Sequence, residues 1–208
     1  ALCRLGGIVT ELTLQFEGPY SWMKDAPDPY VFEAPAAKKP GIYLWTVPTP
    51  SGELVFYVGE TGRDFATRLT EHLRDQLAGI YRIYDPEHFA RGHKKLLWGG
   101  MLGKLREPSL SDFIAKLPTV APALAAFGRM IRFQLAPLDC DAPLRQRVEA
   151  AIADHFYAQE GLVGDFQDDD ISYRRSPLAD SYVVKCSWSC ALKGAPDVLT
   201  IGGRQPAA

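Results

Sequence analysis

Two apolar runs separated by a turn cluster dominate the pattern between residues 41 and 60. "GIYLWTV" is β-branched and aromatic, "PTPSG" supplies turn residues, and "ELVFYVGE" is a second run of the same character, which predicts an antiparallel hairpin. Both runs alternate poorly between apolar and polar positions, the mark of strands covered on both faces by helices. "TGRD" then turns the chain. Asp64 is placed to cap a helix in which Phe65, Leu69, His72, Leu73, Gln76 and Leu77 recur at helical spacing.

Upstream, "IVTELTLQFE" reads as a strand and the Pro-rich "DAPDPYVFEAPAAKKP" as an irregular lead-in. Downstream, "PEHFARGHKKLLWGGMLGKL" predicts a short helix with loops, and "SLSDFIAKLPTVAPALAAF" predicts helical pieces broken at Pro118 and Pro122. "RMIRFQLAPL" alternates and is a third strand in this part of the chain. "DCDAPLRQRVEAAIADHFYAQEG" is the strongest helix signal, with Asp141 as N-cap, Pro143 in the first turn and Gly161 as terminator. The tail holds one or two strand-like runs. No internal repeat or low-complexity tract is present.

The chain has 208 residues, 47% hydrophobic and 23% charged, the balance of one globular domain with extensions. No apolar run approaches the roughly 18 residues of a membrane span, and the start carries neither a basic leader nor a cleavage-type signal, so a cytoplasmic protein with no membrane partner is expected. Cys3, Cys140, Cys186 and Cys190 are too few and scattered for a disulfide framework and are read as reduced thiols. The C-x₃-C of "KCSWSC" has no second pair to complete a zinc site and is read as thiols on a buried strand. The acidic run Asp168–Asp170 reads as a solvated loop.

A net charge of −2 argues against a protein that coats nucleic acid nonspecifically, since that binding is driven by phosphate neutralisation. The distribution is uneven, however. Between Lys38 and Arg106 eleven Lys/Arg stand against seven Asp/Glu, so any surface facing a polyanion belongs to this segment.

Within it, Arg68 and His72 are one turn apart and project from one helix face, next to the strand end that carries Tyr57. Cutting a phosphodiester needs a cation on the phosphate, a group that takes a proton from the attacking water, and usually a metal that holds charge on the leaving oxygen. The arginine fork matches phosphate bidentately, and a tyrosine serves as proton acceptor when neighbouring cations lower its pKa. Each residue alone has a plainer reading. The two tyrosines fill a sheet face, Arg68 and His72 lie on a half-solvated helix face, and Glu149 pairs with Arg145 at i,i+4. Their conjunction favours chemistry.

"GIY" at 41–43, "YVG" at 57–59, Arg68, His72 and a glutamate, Glu149, on a later helix together resemble the signature of the GIY-YIG endonucleases, over roughly residues 39–166. The resemblance implies an α+β fold built on a small three-stranded antiparallel sheet flanked by helices, with "RMIRFQLAPL" as third strand, residues 1–38 as an N-terminal extension and 167–208 as a C-terminal extension packing on the domain. It implies that Tyr43 is the general base or orients the water, that Tyr57 contacts substrate or water, and that Arg68 clamps the scissile phosphate. It further implies that His72 bonds into the tyrosine network and that Glu149 binds a single Mg²⁺ or Mn²⁺. Gly59 would let the strand end approach the phosphate, with Thr61 in the same loop and Arg63 as a second cation.

Two departures bear on activity rather than on the likeness itself. The chain contains no asparagine, which the family usually carries after the glutamate helix, and Glu60 places an acid beside the expected polyanion site. The expected function is a metal-dependent endonuclease hydrolysing phosphodiester bonds by direct attack of water, with DNA rather than RNA as substrate. The alternative is a catalytically inactive GIY-YIG-fold module that binds nucleic acid or a protein partner. Nothing in the extensions resembles a helix-turn-helix or zinc finger, so sequence specificity is unspecified, as is the oligomeric state.

Overall fold

The computed structural model describes residues 9–101, 109–168 and 171–202. Cys3, Lys104, Arg106, Asp169 and Asp170 lie outside the described residues. The strands are β1 (Val9–Ser21), β2 (Gly41–Thr49), β3 (Gly52–Thr61), β4 (Ile83–Tyr84), β5 (Leu96–Trp98), β6 (Arg132–Pro137), β7 (Ser181–Trp188) and β8 (Val198–Ile201). The helices are α1 (Phe65–Leu77), α2 (Pro86–Phe89), α3 (Leu110–Met130), α4 (Ala142–Tyr157) and α5 (Leu162–Phe166), and two 3₁₀ turns at Val31–Glu33 and Pro35–Lys38 occupy the Pro-rich lead-in.

The expectation of a small three-stranded sheet is overturned. The strands form one six-stranded mixed sheet in the order β3-β2-β6-β1-β7-β8, with β4 and β5 as a separate two-stranded sheet. The hairpin β2-β3 and its antiparallel neighbour β6 are present as read, but β6 does not end the sheet. Glu17–Ser21 of β1 pairs antiparallel with β6, and Val9–Phe16 pairs parallel with β7. A strand with a free edge presents unpaired N–H and C=O groups; β1 satisfies those of β6, and β7 satisfies those of the other part of β1. Phe16 stacks on Trp188 with ring centroids 4.2 Å apart, which ties the two terminal strands together on one face.

Poor alternation in the hairpin has the meaning expected of it: Gly41–Val47 are all buried. The Asp64 side chain accepts from Thr67 N at 2.7 Å and starts α1, and Asp141 accepts from Leu144 N at 2.9 Å and starts α4. Phe65, Leu69, His72 and Gln76 form the buried stripe of α1, whereas Leu77 is exposed because the helix stops at Ala78.

The stretch expected to break at prolines is one continuous helix, α3, opened by a capping box between Ser109 and Asp112. Pro118 and Pro122 lie one turn apart on its exposed side, so the carbonyls they leave unpaired face water, and the ordinary penalty for an internal proline is softened. Contrary to the sequence reading, α3 is long and apolar enough to cross a membrane by length and composition. Its apolar stripe of Phe113, Val120, Ala123 and Leu124 packs with Ile83 and Trp98 of β4 and β5. The insertion between α1 and β6 thus builds a small second core beside the hairpin.

Candidate active site

Register along the hairpin sets the site. Tyr43 pairs with Gly59 and Trp45 with Tyr57, two rungs on one face of the sheet, and an extra residue on β3 shifts the register just beyond Trp45. A Cβ placed on Gly59 would lie 2.3 Å from Tyr43 Cζ. Glycine is therefore present to admit the Tyr43 ring, a local reason that precedes any approach of a phosphate.

Helix α1 lies over this face. The His72 ring meets those of Tyr43, Trp45 and Tyr57 edge-on, at centroid distances of 5.7, 5.1 and 5.8 Å. Tyr43 Oη lies 2.7 Å from His72 Nε2 and receives Arg68 Nε at 3.3 Å. On the other side of the imidazole, His72 Nδ1 is 3.0 Å from Tyr81 Oη, and Tyr81 donates to Asp75 Oδ2 at 3.3 Å. The carboxylate can only accept, so Tyr81 accepts from Nδ1–H, and Nε2 is left bare to accept from Tyr43. Burial and the Arg68 charge push the His72 pKa down to about 3, consistent with this neutral tautomer.

Both phenols are hard to ionise. Burial, with the neighbouring Tyr57, raises Tyr43 well above the ordinary tyrosine value against the opposing pull of Arg68. Burial also raises Tyr57, with the Glu149 charge adding to it while its hydrogen bond with Tyr43 and the Arg68 charge work the other way. For Arg68 burial opposes the charge, but the two tyrosines and Glu71 outweigh it and the pKa goes up. Tyr43 has 0% of its surface exposed, whereas Tyr57 is half-buried and lines the adjoining cavity.

Arg63 and Thr61 fall beside the cluster. Arg63 grips Glu71 through two bonds of 2.8 and 2.7 Å, and Arg68 reaches the same carboxylate at 3.3 Å. Thr61 is buried and exchanges two hydrogen bonds with the Arg63 backbone, at 3.1 and 3.2 Å, which closes the turn into α1.

The ion pair with Arg145, the plainer reading of Glu149 taken alone, does not form. Arg145, 7% exposed, donates to Glu60 at 2.6 Å and to the Cys140 carbonyl at 2.7 Å. Glu60 is thereby turned to a structural partner, which explains an acid at that position. Glu149 is left half-buried without an ion pair among the described residues, and burial with the nearby Glu60 charge raises its pKa to about 7. No cluster of three or more His, Cys, Asp or Glu able to hold a metal occurs among the described residues. What remains is one carboxylate that accepts a backbone hydrogen bond from Glu60 and feels Arg68 and Arg145 without an ion pair to either, which fits a hard cation that keeps most of its waters and takes further oxygens from a phosphate.

Tyr57, Arg68 and His72 also line a cavity of about 270 Å³ that extends from this cluster toward the insertion. The sequence thus assembles Tyr43, Tyr57, Arg68 and His72 into one contact network, with Glu149 within electrostatic reach of Tyr57 and Arg68. It did not identify Tyr81, Asp75, Trp45 or Tyr173. The Tyr173 hydroxyl donates to the Val58 carbonyl at 3.2 Å, and its phenol feels both Tyr57 and Glu149. Where an asparagine was missed, the buried Gln167 supplies an amide that donates to the Val55 carbonyl at 2.6 Å. Trp45, two residues after Tyr43 on β2, and Asp75, one turn after His72 on α1, carry a spacing signal that the reading did not use, whereas Tyr81, Tyr173 and Gln167 reach the site from loops.

No family model, curated protein or solved structure matches this chain.

Proposed function

We propose that this chain is a metal-dependent endonuclease of GIY-YIG chemistry, hydrolysing phosphodiester bonds by direct attack of water, with DNA the substrate class that the resemblance implies. The observation that supports it is the convergence of Tyr43, Tyr57, Arg68 and His72 within hydrogen-bonding or ring-contact distance, beside an unpaired Glu149. The half-buried Arg68 sets its guanidinium on the Tyr43 hydroxyl as well as on Glu71, an arrangement that core packing does not require.

In this reading Arg68 turns its guanidinium to a phosphate oxygen, exchanging Glu71 for the substrate. Glu149 would hold Mg²⁺ or Mn²⁺, whose charge would stabilise the leaving oxygen. Tyr57 meets the attacking water. As the water oxygen bonds to phosphorus, its proton passes to Tyr57 while Tyr57 gives its own to Tyr43, Tyr43 to His72 Nε2, His72 Nδ1 to Tyr81, and Tyr81 to Asp75. Each phenol is re-protonated as it donates, so none is left ionised in a site that disfavours phenolate. His72 relays a proton without becoming imidazolium, which its low pKa requires. The 3′ or 5′ oxygen leaves with a proton from solvent, Asp75 releases its proton to water, and the path resets once the phenol O–H groups turn back and the His72 proton returns from Nε2 to Nδ1 by exchange with solvent.

Replacing Arg68 by Lys tests the clamp. Lysine keeps the charge but loses the fork, and cleavage should fall about a hundredfold or more with binding reduced far less. Equal activity of Arg68→Lys and wild type would rule out a bidentate clamp.

A second reading, a catalytically inactive module that binds nucleic acid or a protein partner, is favoured by one observation. Glu71 already occupies both Arg63 and Arg68. Salt-sensitive binding of DNA without cleavage under either metal would select it.

A further inference from the structure

The cavity that opens from Tyr57, Arg68 and His72 is aromatic for most of its length. Trp45, Tyr57, Tyr81, Tyr84 and Phe127 contribute to its walls, so both the hairpin and the insertion build it. Arg68 lines it, as do Gln76 and an ion pair of Arg82 with Asp168 at 3.8 Å, the polar groups of an otherwise largely apolar lining. Planar apolar walls with a few polar groups, joined to a cation, match a planar heteroaromatic ring attached to a phosphate.

A second observation is independent of the lining. The Trp45 indole N–H is buried and has no hydrogen-bond partner, while Trp45 itself is only 4% exposed. A donor left unpaired at such a position costs about 1–3 kcal/mol unless a ligand or water accepts from it. Trp98 on the neighbouring β5 donates its indole N–H to the Gly79 carbonyl at 2.8 Å, while Trp22, edge-on to Trp45 and outside the cavity lining, shares the unpaired state of Trp45. Nucleobase ring nitrogens and carbonyls are acceptors of the kind Trp45 lacks.

We infer that this cavity receives one nucleobase of the substrate strand, unstacked from its neighbours while Arg68 holds the adjoining phosphate. The inference rests on the nucleic-acid reading given above and adds to it where the base goes. Proteins that work on single-stranded or locally opened nucleic acid stack bases on aromatic side chains irrespective of sequence, and extrusion is least costly where the base is already unpaired. The base enters between the aromatic walls, and the Trp45 indole, whose N–H is closed off from solvent, turns it onto a base acceptor. Single strands and mismatched or frayed duplexes are therefore the preferred form of substrate.

Gly99 makes the test clean. It lines the cavity, its backbone is in no strained region, and a Cβ placed on it meets nothing within 4 Å. Gly99→Leu thus adds bulk at the cavity wall where its Cβ has open space, and it substitutes no residue of the proton path. Ile171→Phe, on a separate segment of the lining, fills it from the other side. Binding at low salt is measured for wild type and both variants, with a labelled single strand of about 20 nucleotides and with the same strand made abasic over its central tract. Each variant's thermal midpoint is measured alongside.

Wild type should prefer the intact strand by about tenfold or more, the weight of one or more bases stacked on an aromatic platform. At least one folded cavity-filling variant should lose that preference while its binding to the abasic strand stays within about twofold of wild type. Equal wild-type binding of the two strands, or a preference that survives in both variants, overturns the cavity assignment and leaves the nucleic-acid reading standing. Absence of binding to either strand overturns the nucleic-acid reading itself. Free deoxyadenosine monophosphate binding more tightly than the strand, and lost in the variants, would reassign the cavity to a small nucleotide and overturn the strand-borne base.

Discussion

Tyr43 and Gly59 face each other across β2 and β3, and a Cβ on Gly59 would stand 2.3 Å from Tyr43 Cζ and 2.4 Å from its hydroxyl oxygen. Neither partner has room to yield, since Tyr43 is fully buried and held by His72 and Arg68. Gly59→Ala should destabilise the protein by about 1–3 kcal/mol, the range for overpacking a core. Tyr43→Phe should not rescue it, because Cζ and Cε2 remain in the way. Urea midpoints of the two single variants and the double variant check this, and rescue by phenylalanine would show that only the hydroxyl is crowded.

Two buried groups give the folded state opposing pH responses. Glu149 has a folded pKa of about 7 against the usual 4.5, so the folded state holds its proton more tightly. The destabilisation is absent below pH 4.5 and grows as pH rises to about 7. His72 has a folded pKa of about 3 against 6.5, so the neutral ring stabilises the protein above pH 6.5, and that contribution is lost as pH falls toward 3. Between pH 4.5 and 6.5 the two slopes oppose each other. Glu149→Gln should therefore gain about 1–3 kcal/mol at pH 8, gain almost nothing at pH 4.5, and expose a steeper loss of stability below pH 6.5. Chemical denaturation across this range, without divalent metal, measures it.

Metal binding should be proton-linked at the same carboxylate. Below about pH 7 a cation must displace the Glu149 proton, so Mn²⁺ affinity should rise about tenfold per pH unit and level off above pH 7. The Glu60 charge helps to hold that proton, and Glu60→Gln should move the break in the profile down by about half a unit. Titration calorimetry in two buffers of different ionisation enthalpy reports the released proton. An affinity independent of pH would place the cation elsewhere.

The parts of the site that were legible in the sequence are those written locally. Asp64 and Asp141 announce their helices by capping chemistry, and the buried stripe of α1 follows its spacing. The Tyr43–Gly59 rung follows from a hairpin whose turn is a short cluster of Pro, Ser and Gly. What was not legible is set by pairing between distant segments. Strand β1 joins β7 in parallel from opposite ends of the chain, which no local pattern announces, so a six-stranded sheet was read as three strands. Strands β4 and β5 are two and three residues long, too short for a periodicity, yet with α3 they carry the insertion against the site. Arg145 and Glu149 have the spacing of a helix-surface pair, but a buried arginine goes to the acid that can reach it inside, and Glu60 is that acid. Tyr81 and Asp75 become a proton path only through the bend after α1.

The central claim is hydrolysis carried by Arg68, the phenol–imidazole path and a metal at Glu149. The most direct test is nicking of supercoiled plasmid by wild type and Glu149→Gln at low salt, with Mg²⁺, with Mn²⁺ and with chelator. The account predicts metal-dependent nicking by wild type, abolished by chelator and reduced at least about a hundredfold in the variant. Plasmid that both proteins shift on a gel but neither cuts under either metal would contradict it and leave a module that binds nucleic acid without cleaving it.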